Sequence, residues 1–310
     1  MATALITHPD GLGHDMGQGH PERPDRLRAL LALLDDPSFA SLVRLEAAVA
    51  DRTAIERCHP AAYLDALLAA RPKPGQFARL DADTVMNAGT WPAVERAVGG
   101  ACQAVDAVLG GVVGNAFVAM RPPGHHAERA TPMGFCFLNQ AAIAARHAQA
   151  QHGIDRVAIV DFDVHHGNGT QDIFWDDASV LYASTHEMPL YPGTGAASER
   201  GTHDTIVNAP LRPGNGSEAF RAAMSVVIMP RLRAFAPELV IVSAGFDAHK
   251  RDPLATLRLE AEDFGWVTTE LLAVADAHAG GRLVSVLEGG YDLEGLTTSA
   301  AAHLTALMAA

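Results

Sequence analysis

The sequence predicts an α/β domain built on a mostly parallel sheet with helices on both faces. Short β-branched runs alternate with longer helical stretches along all 310 residues. Several of those runs are apolar at every position, as strands buried on both faces are. Three of them stop at ionisable side chains, the edge where open α/β sheets collect their functional groups.

Thr3 to His8 reads as the first strand. The start, Met-Ala-Thr-Ala-Leu-Ile-Thr-His, has no basic region and no long apolar run, so it reads as that strand rather than as a signal peptide. His8 to Pro24 is too rich in Gly and Pro for regular structure and is expected to be a long loop. Its histidines, His14 and His20, are expected to be solvated or hydrogen-bonded at a pocket rim or lid. A helix runs from Pro24 to Leu34, with Leu27, Leu30, Leu31 and Leu34 at helical spacing. Pro60 to Ala69 is a second helix, Leu80 to Thr90 a polar loop, and Pro92 opens an Ala/Val-rich helix to about Leu109, proline being tolerated in a first turn.

Ala116 to Met120 is a strand, and Gly134 to Asn139 leads into a helix from Gln140 to Gln151. Val157 to Val160 is the most apolar strand. Val180 to His186 and Thr205 to Leu211 are further strands, separated by the turn Leu190 to Gly195. Helices at Glu218 to Phe235 and Ala261 to Ala277 flank the strand beginning at Leu239. Arg282 to Leu287 is the last strand, and a helix from Glu294 to Met308 closes the chain.

A hydrophobic content of 48% and a mean hydropathy of +0.08 support a sizeable core. With no linker, repeat or low-complexity tract, residues 1–310 are expected to form one catalytic domain. The net charge of −13 opposes direct nucleic-acid binding and favours a cationic substrate such as a lysine-bearing peptide. Cys58, Cys102 and Cys136 form neither a zinc pattern nor an even disulfide set, which fits a reducing cytoplasm. No segment resembles a membrane span.

The chemistry gathers at strand ends. In Asp161-Phe-Asp163-Val-His165, strand alternation would point the three ionisable side chains to one side. An Asp-x-His pair alone is more often a hydrogen-bonded pair than a metal site. Two further runs change that weighting, Leu239-Val-Ile-Val-Ser243-Ala-Gly-Phe-Asp247 and Ala116-Phe-Val-Ala-Met-Arg121-Pro-Pro-Gly-His125-His126. Asp163, His165 and Asp247 would give a zinc ion three protein ligands and leave one position open, the pattern of a catalytic site. Bound zinc lowers the pKa of water from 15.7 to roughly 7 and polarises a carbonyl. His125 and His126 would carry protons near neutral pH. Tyr291, after two glycines in Glu-Gly-Gly-Tyr, would donate to a developing oxyanion.

These motifs resemble the zinc-dependent histone deacetylase family, class II branch: Arg-Pro-Pro-Gly-His125-His126-Ala, Gly-Phe-Cys-Phe-Leu-Asn139, Asp161-Phe-Asp163-Val-His165-His166-Gly-Asn168-Gly-Thr, Ser243-Ala-Gly-Phe-Asp247 and Glu-Gly-Gly-Tyr291. His20-Pro-Glu-Arg-Pro resembles that family's first loop. The match keeps motif order from roughly His8 to the end. The resemblance implies an arginase/deacetylase-like fold with about eight central strands. It assigns zinc to Asp163, His165 and Asp247, base and acid work to His126, an electrostatic role to His125 and carbonyl polarisation to Tyr291. Asp161 would orient His125, and Asn168 would contact His126 where class I members carry Asp. Phe135 and Tyr191 match the aromatics that flank the acyl-lysine tunnel, with Tyr191 standing where Phe is usual; Gly134 would let the stem pass close to backbone. Structural potassium is implied near Asp161, Asp163, His165 and Ser184, with a second site around Phe174, Asp177 and Val180.

The resemblance implies hydrolysis of Nε-acetyl-lysine in proteins or peptides. The alternative is a deacetylase of acetylpolyamines or other small N-acyl amines. Polyamine-selective relatives place a glutamate where this chain has Leu254, although Asp81, Asp83 or a neighbouring subunit would offer another acid. An arginase-type binuclear manganese centre needs more carboxylates, and Gly167 and Gly245 stand where they would fall. A catalytically dead zinc-binding receptor would not need Tyr291, His125 and His126 together. Fe2+ or Co2+ in place of zinc, the acyl length and a homo-oligomeric state are left open by the residues.

Overall fold

Alternation along each apolar run sorts the core into two layers. Ala4, Ile6, Ala116, Val118, Val157, Ile159, Val284 and Val286 face one layer, and Leu5, Phe117, Ala158, Val160, Leu283 and Leu287 face the other. The computed structural model describes residues 1–310. In chain order it contains β1 (Thr3–Thr7), α1 (Pro24–Leu33), β2 (Val43–Glu46), α2 (Arg52–Glu56), α3 (Ala61–Ala69), β3 (Ala78–Arg79), β4 (Val85–Met86) and α4 (Thr90–Leu109). Then come β5 (Asn115–Val118), α5 (Gln140–His152), β6 (Val157–Asp161), α6 (Asn168–Phe174), β7 (Val180–Glu187) and β8 (Ile206–Leu211). The remainder is α7 (Ser217–Ala223), α8 (Met229–Phe235), β9 (Leu239–Ala244), α9 (Ala261–His278), β10 (Leu283–Leu287) and α10 (Leu293–Met308).

Eight strands form one sheet in the order β2-β1-β5-β10-β9-β6-β7-β8, and every pairing is parallel. Residues of α3, α4 and α5 cover one face; residues of α1, α8, α9 and α10 cover the other. Because the strands are parallel, β5, β10, β9 and β6, four neighbours at the centre, all deliver their C-terminal loops to one edge.

Several elements depart from the sequence expectation. The edge strand β2 carries no sequence signature, since Val43-Arg44-Leu45-Glu46 alternates half-buried and exposed positions and has no apolar run. The polar loop Leu80 to Thr90 contains β4, which pairs with β3 in a small antiparallel ribbon. The irregular stretch after His8 holds a 3-10 turn at Pro9–Leu12. The single helix expected from Glu218 to Phe235 is interrupted by a π-wound turn at Met224–Ile228. Pro230 has no N–H to give to the carbonyl four residues back, so the wider turn relieves the helix there. Pro210 sits in β8, an edge strand, where a missing donor costs little.

Candidate active site

Strand β6 ends at Asp161, so Asp163 and His165 lie on the bend beyond it and strand alternation does not orient them. Hydrogen bonds do. Asp161 Oδ1 accepts from the Asp163 backbone N–H at 3.1 Å, and Asp163 Oδ1 accepts from that of His165 at 2.9 Å. After β9, Asp247 Oδ1 accepts from Val164 N at 2.8 Å; after β10, Gly289 N donates to Asp163 Oδ2 at 2.8 Å. The approach is so close that a Cβ on Gly289 would fall 2.1 Å from Asp247 Oδ2, and one on Gly245 would fall 2.1 Å from Asp163 Oδ2.

The result is a cradle for a cation. Asp163, His165 and Asp247 are all buried and present ligand atoms within 4.8 Å of one another. His165 Nδ1 lies 3.1 Å from Asp163 Oδ1 and 3.2 Å from Asp247 Oδ2, and the latter oxygen, buried, receives no hydrogen bond. Burial and the neighbouring Asp163 push Asp247 up to about 7. Burial opposes charge on His165, yet the close contacts of its ring with the Asp163 and Asp247 carboxylates raise it to about 10. Glu288, buried nearby, is likewise raised to about 7 by desolvation. Buried carboxylates in excess of cations demand positive charge, which protons or a divalent ion supply. A mixed N/O set with an orphaned oxygen fits the ion.

The two histidines after β5 have opposite electrostatics. His125 Nδ1 is 3.0 Å from Asp161 Oδ2; burial lowers its pKa, but the charges of Asp163 and Asp161 outweigh it and hold the ring cationic, well above its usual value. His126 is pushed well below its usual value by burial and then by the charges of His125 and His165. Its tautomer is set by Asn168. The Asn168 amide nitrogen donates to Glu128 Oε1 at 2.8 Å, which turns Oδ1 toward His126 Nδ1, also at 2.8 Å. The His126 proton therefore sits on Nδ1 and the Nε2 lone pair is free.

His126 and His165 open into a narrow pocket of about 210 Å3, lined also by Asp83, Gly134, Phe135, Leu190, Tyr191, Leu254 and Tyr291. Phe135 has a left-handed backbone, φ 68°, a costly conformation for a phenylalanine and one often kept at functional sites. Its ring meets Tyr291 edge-on at 5.8 Å, while Tyr191 meets His126 edge-on at 5.1 Å. A side chain at Gly134 would meet the His126 ring at 2.5 Å, so the glycine makes room for the imidazole. Asp83 is at the pocket, whereas Asp81 spends its Oδ1 on the backbone N–H groups of Asp83 and Thr84.

The residues named for potassium fall in two neighbourhoods. Ser184 Oγ is 2.9 Å from His186 Nδ1, and Asp161 also accepts from the Tyr182 hydroxyl at 3.1 Å. The Asp177 carboxylate is taken up by Arg146 and Ser179, leaving only main-chain oxygens for an ion there.

Sequence reasoning missed the buried frame behind the pocket. His14, expected to be solvated or hydrogen-bonded at a pocket rim, is hydrogen-bonded but fully buried, with Nδ1 2.8 Å from Thr90 Oγ1 and Nε2 3.1 Å from Glu22 Oε2. Glu22 also pairs with Arg26 and Arg121, whose charges overcome burial and hold its carboxyl well below the usual range. Arg26 donates to the carbonyls of Glu288 and Gly290, and Glu288 Oε2 accepts from Gly124 N at 2.6 Å. Asp252 Oδ2 accepts from Tyr291 N at 2.7 Å. The Pro-Pro-Gly-His-His turn and the Gly-Gly-Tyr turn are thus tied to each other and to α1. The signal that could have found this frame is that Glu22 stands within His-Pro-Glu-Arg-Pro and Arg121 opens Arg-Pro-Pro-Gly-His-His.

The histone deacetylase domain family matches residues 20–307. A probable deacetylase of Archaeoglobus fulgidus is 40% identical over 301 residues, covering 95% of this chain and 83% of the relative. The histone deacetylase-like amidohydrolase of Pseudomonas aeruginosa is 40% identical over 278 residues, covering 88% and 73%. The crystal structure of the HDA15 HD domain matches with a TM-score of 0.94 at 36% identity, over 99% of this chain and 90% of that one. The fold is thus the expected arginase/deacetylase-like one. No helix is long and apolar enough to cross a membrane. Matched over nearly its whole length in both sequence and fold, the chain belongs to the histone deacetylase family, whose members are deacetylase-type hydrolases.

Proposed function

We propose that this chain is a zinc-dependent hydrolase that removes acetyl groups from Nε-acetyl-lysine in proteins or peptides. The observation that carries the reading is the buried Asp163, His165 and Asp247 cluster opening through His165 into a pocket walled by Phe135, Tyr191, Leu254 and Tyr291. When bound by those three residues, zinc supplies Lewis acidity, acidifying water and polarising the acyl carbonyl. His126 takes the proton of the attacking water at Nε2 and returns it to the departing lysine amine. Asn168 keeps the other ring proton on Nδ1, so Nε2 is the nitrogen that accepts. His125, oriented by Asp161, holds positive charge beside the reacting carbonyl, and the Tyr291 phenol donates to the oxygen as it becomes anionic. Phe135 and Tyr191 keep water from the lysine stem, and structural potassium near Ser184 and Asp177 is part of the same reading.

A binuclear centre is disfavoured. An added carboxylate at Gly245 would begin with a Cβ 2.1 Å from Asp163 Oδ2. The second reading, hydrolysis of acetylpolyamines, has one observation in its favour: Asp83 lines the pocket, and burial together with Asp81 raises its pKa, so a cationic ligand would be welcome beside it. The kcat/KM values for an acetyl-lysine peptide and for N-acetylputrescine, in the parent and in Asp83→Asn, decide between them. The peptide is expected to be preferred. A strong preference for the polyamine that collapses in Asp83→Asn would reverse the substrate assignment.

A further inference from the structure

Helices α4 and α5 both run back from the catalytic edge and feed β5 and β6, so their last turns meet at the opposite edge of the sheet. There Asp106 of α4 faces two histidines of α5. His147 Nε2 is 2.8 Å and His152 Nε2 2.7 Å from the same carboxylate oxygen, Asp106 Oδ1. All three residues present ligand-capable atoms within 4.8 Å of one another. Histidines five apart are separated by about 140° around a helix, so spacing alone does not bring them together. Each ring reaches across to α4.

The surroundings favour a cation. No lysine or arginine pairs with Asp106; its side-chain partners are the two imidazoles. His152 is the last residue of α5, and Asp106 lies in the last turn of α4. The free carbonyls and negative dipole ends of both helices add to the carboxylate's potential. Without an ion the Asp106 carboxylate keeps a proton on Nε2 of His147, so a cation would take that proton's place and move the ring proton to the buried Nδ1, which has no partner in the protein.

We propose that Asp106, His147 and His152 form a second site, remote from the catalytic pocket, for a borderline divalent cation such as zinc. Two imidazole nitrogens and one carboxylate oxygen suit that class, and the half-exposed position leaves room for water as the remaining ligand. Ligand edges around a tetrahedral zinc are about 3.3 Å. The exposed Asp106 carboxylate has space to swing back from its present contacts to that distance. The ion would clamp α4 to α5, the helices that precede β5 and β6, whose C-terminal loops carry His125, His126, Asp163 and His165.

The test uses the full chain with its tightly held metal retained. Equilibrium dialysis against zinc up to about 100 µM counts ions per chain in the parent and in His147→Gln/His152→Gln. The parent is expected to take up one further ion and to gain thermal stability with zinc. The double variant is expected to bind that ion more than about tenfold more weakly and to lose the zinc-dependent rise in Tm. Its kcat/KM on an acetylated substrate at limiting zinc should match the parent, and Asp106→Asn should behave as the double variant does. Absence of a further ion in the parent, or its undiminished uptake by a natively folded double variant, overturns the site. Because the further ion is defined by its loss in the variants, this outcome is independent of whether the catalytic cluster holds zinc.

Discussion

The guanidinium of Arg26 stacks over the ring of Tyr291, its central carbon 4.8 Å from the ring centre, while its N–H groups hold the carbonyls of Glu288 and Gly290. The residue that would polarise the substrate carbonyl is therefore positioned from α1, at the far end of the chain. Tyr291→Phe should keep the metal and the fold but lower kcat by about 10^2 to 10^3, the usual cost of one oxyanion donor. Arg26→Leu should also lower kcat with metal retained, and should in addition destabilise the fold by about 3 kcal/mol, because buried carbonyls lose their donor. Unchanged turnover in Arg26→Leu would remove the positioning role.

The glycines between the ligands give a second test. Asp247→Ala should abolish binding of the catalytic metal. Gly289→Ala changes no ligand, yet its methyl would sit 2.1 Å from Asp247 Oδ2 and 2.6 Å from Asp163 Oδ2. Displacing both carboxylates should weaken metal affinity by about 10 to 100-fold, as loss of a supporting contact does. Metal content after dialysis against a chelator-buffered series measures it; parent-like affinity in Gly289→Ala would mean that Asp163 and Asp247 are not joint ligands.

The parts of the site written as local pattern are legible in the sequence. Val157 to Val160 reads as a central strand because it is buried on both faces, and the runs ending near Asp163, Asp247 and His126 share an edge because parallel strands must. The features that escape depend on distant partners. Glu22 reads as a loop residue because, although Arg26 stands only four residues on, its other arginine, Arg121, is brought to it by the fold from the loop after β5. Strand β2 carries charges on alternate residues, as an exposed edge allows, so it lacks the apolar signature. The Asp106, His147 and His152 cluster has no motif because two helices assemble it.

Burial and the charges of His125 and His165 hold the proton affinity of His126 down, and exchanging Asn168, which contacts its Nδ1, for a carboxylate predicts a pH shift with a definite sign. An Asp at this position would stabilise imidazolium, raising the His126 pKa. A base must be unprotonated to act, so the acidic limb of kcat/KM for Asn168→Asp should move to higher pH, with activity reduced more at pH about 6 than at pH about 8. Glu128, now accepting from the Asn168 amide at 2.8 Å, would face the new carboxylate, and Glu128→Gln in the same background should preserve the shift while relieving that repulsion. A parallel loss at all pH values would show that Asn168 is not coupled to the proton acceptor.

His303 offers a stability test far from the metal. It is fully buried in α10, with Nδ1 2.6 Å from Thr268 Oγ1 and Nε2 2.9 Å from Ser285 Oγ. The Thr268 hydroxyl gives its proton to Phe264 O, so it accepts from His303 Nδ1–H, and Ser285 donates to Nε2. Both ring nitrogens are thus satisfied in the neutral form, and a protonated ring would require the Ser285 hydroxyl to turn and accept from Nε2. Burial accordingly lowers the pKa to about 3, against 6.5 for the exposed ring. Below pH 6.5 the unfolded chain binds a proton that the folded chain refuses, so the stability contribution is complete above 6.5 and drains away as pH falls toward 3. His59, lowered to about 4 by burial, acts in the same direction. In urea unfolding, His303→Gln should flatten the loss of stability between pH about 7.5 and 5.5 by up to about 1.4 kcal/mol per pH unit in the lower part of that range. An unchanged slope would mean that His303 accepts its proton while still folded, with the Ser285 hydroxyl turned to accept from Nε2 and the burial penalty on the charged ring absent.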